Sequence, residues 1–360
     1  MKFLAGADFA YGNTRLRARK GGLLSPADCE RLVGKDVEAL LGALDGTPYA
    51  QDVEAALTRQ HGLRRLHEAI RLHLGRSLEE MRSFYAGPAR ELVDLLLSRF
   101  DVQNVVALLR AQAGSSRSAE DALLAVVPVG WLLEPLAREI LRQHELAGAV
   151  ALLARWTPDA AQARALRAAF AKYERSDDLA AFERAILADH FTRLAEALER
   201  AGQGGETLLR FVRREIDEQN LLVALRLRSA LERGEVTELA LEGELLPGGR
   251  VSAASLEAAV RTLAAVSDLS SLGGEAWRAP LARWATTGDL VALERELERR
   301  WVADATALFA EGDPLSIDVA LAFSVAKQTE AQNLRLLGEA AVRHSDPELV
   351  RHQLLAGGPA

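Results

Sequence analysis

The sequence predicts an all-α protein built from three similar helical units. Three observations carry this reading. The composition favours helix, apolar residues recur at helical spacing, and one rare motif appears three times at nearly equal intervals.

Ala, Leu, Arg and Glu dominate the 360 residues, and aromatic residues make up only 5%. The four dominant types lose little entropy in a helix. Hydrophobic residues are 49% and charged residues 26%, enough apolar content for a packed core. Strand-like alternation is scarce. Residues 89–112 form the clearest helical stretch, with Leu92, Leu96, Phe100 and Leu108 on or near one stripe. Turn chemistry separates such stretches at residues 45–48, 86–88, 114–116, 202–205, 247–249, 273–274 and 312–314. Ser25-Pro26 and Asp313-Pro314 each read as a helix start, a cap residue followed by a first-turn proline.

The motif is acid, any residue, Gln, Asn, aliphatic. Its copies are Asp101-Val102-Gln103-Asn104-Val105, Asp217-Glu218-Gln219-Asn220-Leu221 and Glu330-Ala331-Gln332-Asn333-Leu334. The asparagines lie 116 and 113 residues apart, and with only four Asn and eleven Gln in the chain a chance triplet is very improbable. A second element keeps the same period. Asp178-Leu179-Ala180-Ala181-Phe182-Glu183 and Asp289-Leu290-Val291-Ala292-Leu293-Glu294 begin 42 and 44 residues before their asparagines. The nearest counterpart in the first third, Asp52-Val53-Glu54, begins 52 residues before Asn104. Units this long exceed solenoid repeats and read as a triplicated helical domain, divided as residues 1–118, 119–236 and 237–360.

The motif acid and asparagine are three residues apart and share a helix face. Asn104 lies near the Leu97–Phe100–Leu108 stripe, and Asn220 lies four residues after Ile216. Asparagine is a poor helix former and costly to bury unpaired, so the expectation is a hydrogen bond to a neighbouring helix end or to backbone within its own unit. A partner-facing role is the alternative. The basic run Arg15, Arg17, Arg19 and Lys20 reads as a solvated helix face, with an acidic partner patch as the alternative. Residues 123–136, including Trp131, read as buried core rather than a docking surface.

Several function classes are disfavoured. A net charge of −7 leaves no overall electrostatic footprint for nucleic acid. No glycine-rich segment ends in Gly-Lys-Ser or Gly-Lys-Thr, so no nucleotide loop is expected, and residues 202–205 read as a connecting loop. The seven histidines are scattered, and His67-Glu68 lacks a second histidine at helical zinc spacing, so neither a metal nor a catalytic residue nor a cofactor is expected. Cys29 is the sole cysteine, which forbids an intrachain disulfide. Asp8 arrives too early for a signal-peptide core, and the longest apolar run, 122–133, is shorter than the roughly 20 residues of a membrane span. A cytoplasmic location is expected, with any membrane role exercised through a partner.

The opening Tyr11-Gly12-Asn13-Thr14-Arg15-Leu16-Arg17-Ala18, followed by Gly22-Leu23-Leu24, is similar to the start of the C subunit of V/A-type ATPases, a family that includes the d subunit of the eukaryotic V-ATPase. The three motif copies resemble that family's threefold internal repeat. The resemblance covers essentially the whole chain. The third copy departs from it, with Glu330 in place of Asp and Gly338 in the following helix. The resemblance implies a funnel of three similar helical domains about a pseudo-threefold axis. It implies a non-catalytic component of the central stalk, a socket between the central shaft of the soluble ATPase head and the proteolipid rotor ring of the membrane sector. Such a socket serves ATP-linked proton or sodium transport and sits peripherally on the membrane through the complex. The alternative from another class is a stand-alone helical-repeat scaffold for protein–protein interaction. Only three copies, with long units, argue against an open solenoid.

Overall fold

The computed structural model describes residues 7–114, 118–238, 241–261 and 265–356. Among the described residues the secondary structure is helical and no strand occurs. A first group comprises α1 (Ala10–Arg19), α2 (Pro26–Leu32), α3 (Val37–Leu44), α4 (Ala50–Leu57), α5 (Gly62–Ser83) and the long α6 (Gly87–Gln112). There follow α7 (Ala119–Ala125), α8 (Glu134–Leu141), α9 (Leu146–Trp156), α10 (Ala160–Ser176), α11 (Leu179–Ala201) and the long α12 (Glu206–Glu232). The chain continues through α13 (Ala253–Arg261), α14 (Ala265–Gly273), α15 (Glu275–Thr287), α16 (Leu290–Glu311), the long α17 (Asp318–Arg343) and α18 (Pro347–Gln353).

Local chemistry explains the helix starts. Ser25 and Asp28 form a reciprocal capping box before Pro26, as the sequence suggests. Asp178 and Asp289, the acids of the second repeated element, cap α11 and α16 by accepting first-turn N–H groups. Asp52 is different. It lies inside α4, buried, and binds side chains of α5. Asp313-Pro314 is not the helix start it resembles, because α17 begins four residues later. Asp318 accepts the Asp313 N–H at 3.0 Å, and Asn13 Nδ2 donates to the Pro314 and Ser316 carbonyls at 2.8 and 2.9 Å. Those carbonyls are thereby held in a turn packed on α1.

The buried apolar residues fall into three clusters. One joins α1–α5, the first halves of α6 and α12, the second halves of α11 and α16, α17, and Val127, Val129 and Val350. The second joins the C-terminal half of α6 to α7–α10 and the first half of α11. The third joins the C-terminal half of α12 to α13–α15 and the start of α16. Thus α6 serves one core up to Phe100 and another from Val102 onward, while α12 changes core between Ile216 and Leu221. In these two helices the motif sits at the change, whereas α11 and α16 change core without one. Helix α17 lies in the first cluster throughout and packs against α16, α5, α1 and α12. Gly338 permits that approach, since a Cβ there would lie 2.7 Å from Leu66 and 2.8 Å from Leu63.

Residues 123–136 divide into the end of α7, an extended segment and the start of α8. Val126, Val129 and Leu132 are buried, whereas Leu133 is 46% exposed. The starts of the long helices lie close together. Tyr85, just before α6, donates to Asn13 Oδ1 at 2.7 Å, the turn before α17 is bound by Asn13, and Gly204, just before α12, packs on Leu92.

Candidate functional site

The three motif asparagines make the same pair of bonds. Asn104 Nδ2 donates to the Val127 carbonyl at 2.8 Å, and its Oδ1 accepts the Val127 N–H at 2.9 Å. Asn220 does this with Leu246 at 2.9 and 2.7 Å, and Asn333 with Leu355 at 2.8 and 2.9 Å. Each partner lies 22–26 residues downstream in a non-helical segment with no strand to pair its backbone. The side-chain amide presents one N–H beside its carbonyl oxygen, as a strand edge would, so it pairs the N–H and C=O that no strand partners.

The motif acids hold the same segments a few residues further on. Asp101 accepts the Trp131 and Leu132 N–H groups at 3.1 and 3.4 Å, and Asp217 accepts those of Arg250 and Val251 at 3.2 and 3.0 Å. Burial raises both carboxyls above the usual range, that of Asp101 to about 7. The third copy diverges. Glu330 accepts the Leu24 N–H at 2.7 Å, the Tyr49 hydroxyl at 2.5 Å and the Lys327 ammonium at 2.7 Å. Its longer side chain therefore binds the N-terminal segment, some 300 residues away in sequence.

Around Glu330 lies a buried polar network that the motif does not announce. Lys327 Nζ is 2.9 Å from His73 Nε2, and His73 Nδ1 is 2.9 Å from Asp52, which also pairs with Arg76. An ammonium donor on Nε2 leaves the proton on Nδ1, donated to Asp52. Burial, reinforced by Lys327, lowers the His73 pKa; burial raises Asp52, but the bonds from His73 and Arg76 outweigh it and hold the carboxyl low. The partners are 254 residues apart, so no local sequence signal could have joined them.

The motif glutamines face elsewhere. Gln103 and Gln219 line a cavity of about 120 Å³ between the long helices, and Gln219 and Gln332 line an adjoining cleft of about 260 Å³. Arg99, Glu215 and Trp301 border both. Arg99 pairs with Glu215 at 3.3 Å and lies over the Trp301 ring. Glu218, Glu294 and Glu298 add acidity to the cleft, and burial pushes the Glu218 carboxyl up to about 7 although Arg214 donates to it at 2.7 Å.

In the N-terminal motif, Asn13 is buried and structural, whereas Tyr11, Arg15 and Arg17 are exposed. Gly12 accommodates the Tyr85 ring, which a Cβ would approach to 2.2 Å. Cys29 is buried, which pushes its thiol up to about 12. Among the described residues no group of three His, Cys, Asp or Glu side chains could hold a metal, and no helix is long and apolar enough to cross a membrane.

Among the described residues the chain is all-helical, and its recurrent asparagines and carboxylates bind its own backbone. Residues 12–353 match the family described as ATP synthase (C/AC39) subunit, and the chain belongs to this family of V/A-type ATP synthase C subunits. The V-type ATP synthase C subunit of Thermus thermophilus is 31% identical over 335 residues, covering 93% of this chain and 94% of that protein. The A-type ATP synthase C subunits of Methanococcoides burtonii and Pyrococcus horikoshii are 23% and 24% identical, covering 97% and 95% of this chain and 94% and 89% of their own lengths.

Proposed function

We propose that this chain is a non-catalytic coupling component of a rotary ATPase, a socket that joins the central shaft of the soluble head to the proteolipid ring. It arose by triplication of one helical unit, with divisions near residues 118 and 236, each shortly after a motif helix. The three units surround a pseudo-threefold axis in a funnel, and the protein sits on the cytoplasmic face of the membrane through its partners. The observation that carries this reading is the identical asparagine–backbone pair in all three copies. It recurs at the places where α6 and α12 pass from the shared core to a core of their own. The starts of the three long helices lie close together, and the motif glutamines line a cavity and an adjoining cleft beside these helices. A shaft tip gripped there would turn with the frame.

The test is reconstitution of the complex in sealed vesicles with and without this chain. ATP hydrolysis by the head should persist without it, while ATP-driven proton or sodium uptake should vanish and the head should detach. Uptake that persists without the chain, or hydrolysis by the purified chain alone, would overturn the reading.

A further inference from the structure

The network around Glu330 binds α17 to the N-terminal elements through side chains that are almost wholly buried. His73, Asp52, Lys327 and Glu330 are 2%, 5%, 5% and 2% exposed. Both ring nitrogens of His73 face a cation. Nε2 lies 2.9 Å from Lys327 Nζ, and Nδ1 lies 3.1 Å from Arg76 Nη2 as well as 2.9 Å from Asp52. The Tyr49 ring stacks on the imidazole with centroids 3.7 Å apart, and Lys327 Nζ lies 5.2 Å from the same ring. Each carboxylate of the network already holds a cation. Asp52 pairs with Arg76, and Glu330 pairs with Lys327 while accepting the Tyr49 hydroxyl and the Leu24 N–H. Cys29 of α2 stands near Glu330 with its thiol pushed up to about 12, so it brings no further charge. Helix α3, which packs on α5 and α17, buries Leu40, Leu41 and Leu44.

A neutral imidazole fits this setting, accepting from Lys327 and donating to Asp52. An imidazolium does not. Its second proton would lie on Nε2, against the Lys327 ammonium. Ser77 Oγ, 3.4 Å from Nε2, can accept that proton only once Lys327 has withdrawn. We propose that the network is an acid-released latch, in which a second proton on His73 displaces Lys327 and loosens residues 24–53 from α17. The release is local, because α1 stays fastened to the turn before α17 by Asn13, whose amide does not titrate. Burial, reinforced by Lys327 and opposed by the bond to Asp52, holds His73 below the ordinary histidine range in the closed state. A freed imidazole titrates near 6.5. The latch is therefore firm above about pH 6.5 and weakens as pH falls below it, until the closed state itself takes the proton. It is internal to the chain and does not depend on the coupling reading.

Hydrogen exchange of the full-length chain from about pH 5 to about pH 8 tests the latch, read as protection factors corrected for the intrinsic pH dependence of exchange. Wild type is compared with His73→Gln, whose amide can accept from Lys327 and donate to Asp52 but takes no proton. His67, also lowered by burial, titrates on the same helix and is present in both chains, so their ratio isolates His73. Wild-type protection at Leu24 and Val53, relative to the variant, should fall by up to tenfold for each pH unit below about 6.5. The ratio at Phe182, in the second core, should stay constant. A constant ratio at Leu24 and Val53 would overturn the proposal, and so would an equal fall at Phe182, which marks global unfolding. Imidazole nitrogen NMR of the wild-type chain decides the matter even if the variant fails to fold. Nε2 of His73 should be unprotonated at neutral pH and take its proton below about pH 6.5. A His73 that carries its proton on Nε2 at neutral pH, or that titrates at or above about 6.5, would end this reading.

Discussion

Asn104→Leu keeps the branched outline of the side chain but deletes both bonds to Val127. Val127 is only 7% exposed, so water cannot replace them. The two losses differ. The Val127 carbonyl keeps a second donor, the Val129 N–H at 2.9 Å, whereas the Val127 N–H loses its one acceptor. An orphaned buried donor costs about 1–3 kcal/mol, and the bond lost at the carbonyl adds about 1, so the substitution should destabilise by about 2–4 kcal/mol. Asn333→Leu should behave alike, because Leu355 is also buried. Asn220→Leu should cost less, about 1 kcal/mol, because Leu246 is only half-buried and its N–H can find water. The described residues form three cores, so unfolding need not follow a single transition. Urea unfolding followed by circular dichroism should therefore be paired with hydrogen exchange at residues 126–132. An Asn104→Leu variant whose midpoint and Val127 protection match wild type would refute the argument.

Three other outcomes follow from the structure. Glu330→Gln removes the carboxylate from buried Lys327 and should cost about 3–5 kcal/mol in chemical denaturation, and adding Lys327→Met should recover part of that. Asp101, raised by burial to about 7, titrates near 3.9 when unfolded, so the folded state holds an extra proton between those values. Stability should be fullest below about pH 4 with respect to this group and fall as pH rises to about 7, with buried Glu218 acting in the same sense; Asp101→Asn with Glu218→Gln should flatten that slope, measured as urea midpoint against pH. Gly75→Ala would place a Cβ 2.5 Å from the Pro128 ring and 2.9 Å from its carbonyl oxygen, pushing the extended segment away from α5. It should cost about 1–3 kcal/mol and speed amide exchange at Val127.

Helicity was legible because composition, apolar spacing and caps act over a few residues. The 89–112 helix and the Ser25-Pro26 start depend on contacts within one turn, and so do the caps that the structure shows at the repeated Asp178 and Asp289. Asp313-Pro314 has the same local signature and yet lies in a turn, because Asn13, some 300 residues away, binds the carbonyls that follow it. The same limit applies to the motif. Its spacing marks an acid and an asparagine on one face, but not the backbone groups they hold or the cleft toward which the glutamine turns.

The sequence by itself determined the helical class, the recurrence of a rare polar motif and the family resemblance that the relatives bear out. Only the tertiary structure decided that α6 and α12 each change core at the motif, and that Glu330 abandons the pattern of the other two acids to bind Leu24, Tyr49 and Lys327. It also decided that Asp52, the weaker counterpart of the repeated element, is a buried partner of His73. Caps and stripes are short-range and leave a periodic trace in the chain. A buried ion network joins residues by packing alone, and the positions it unites have no spacing from which they could be read.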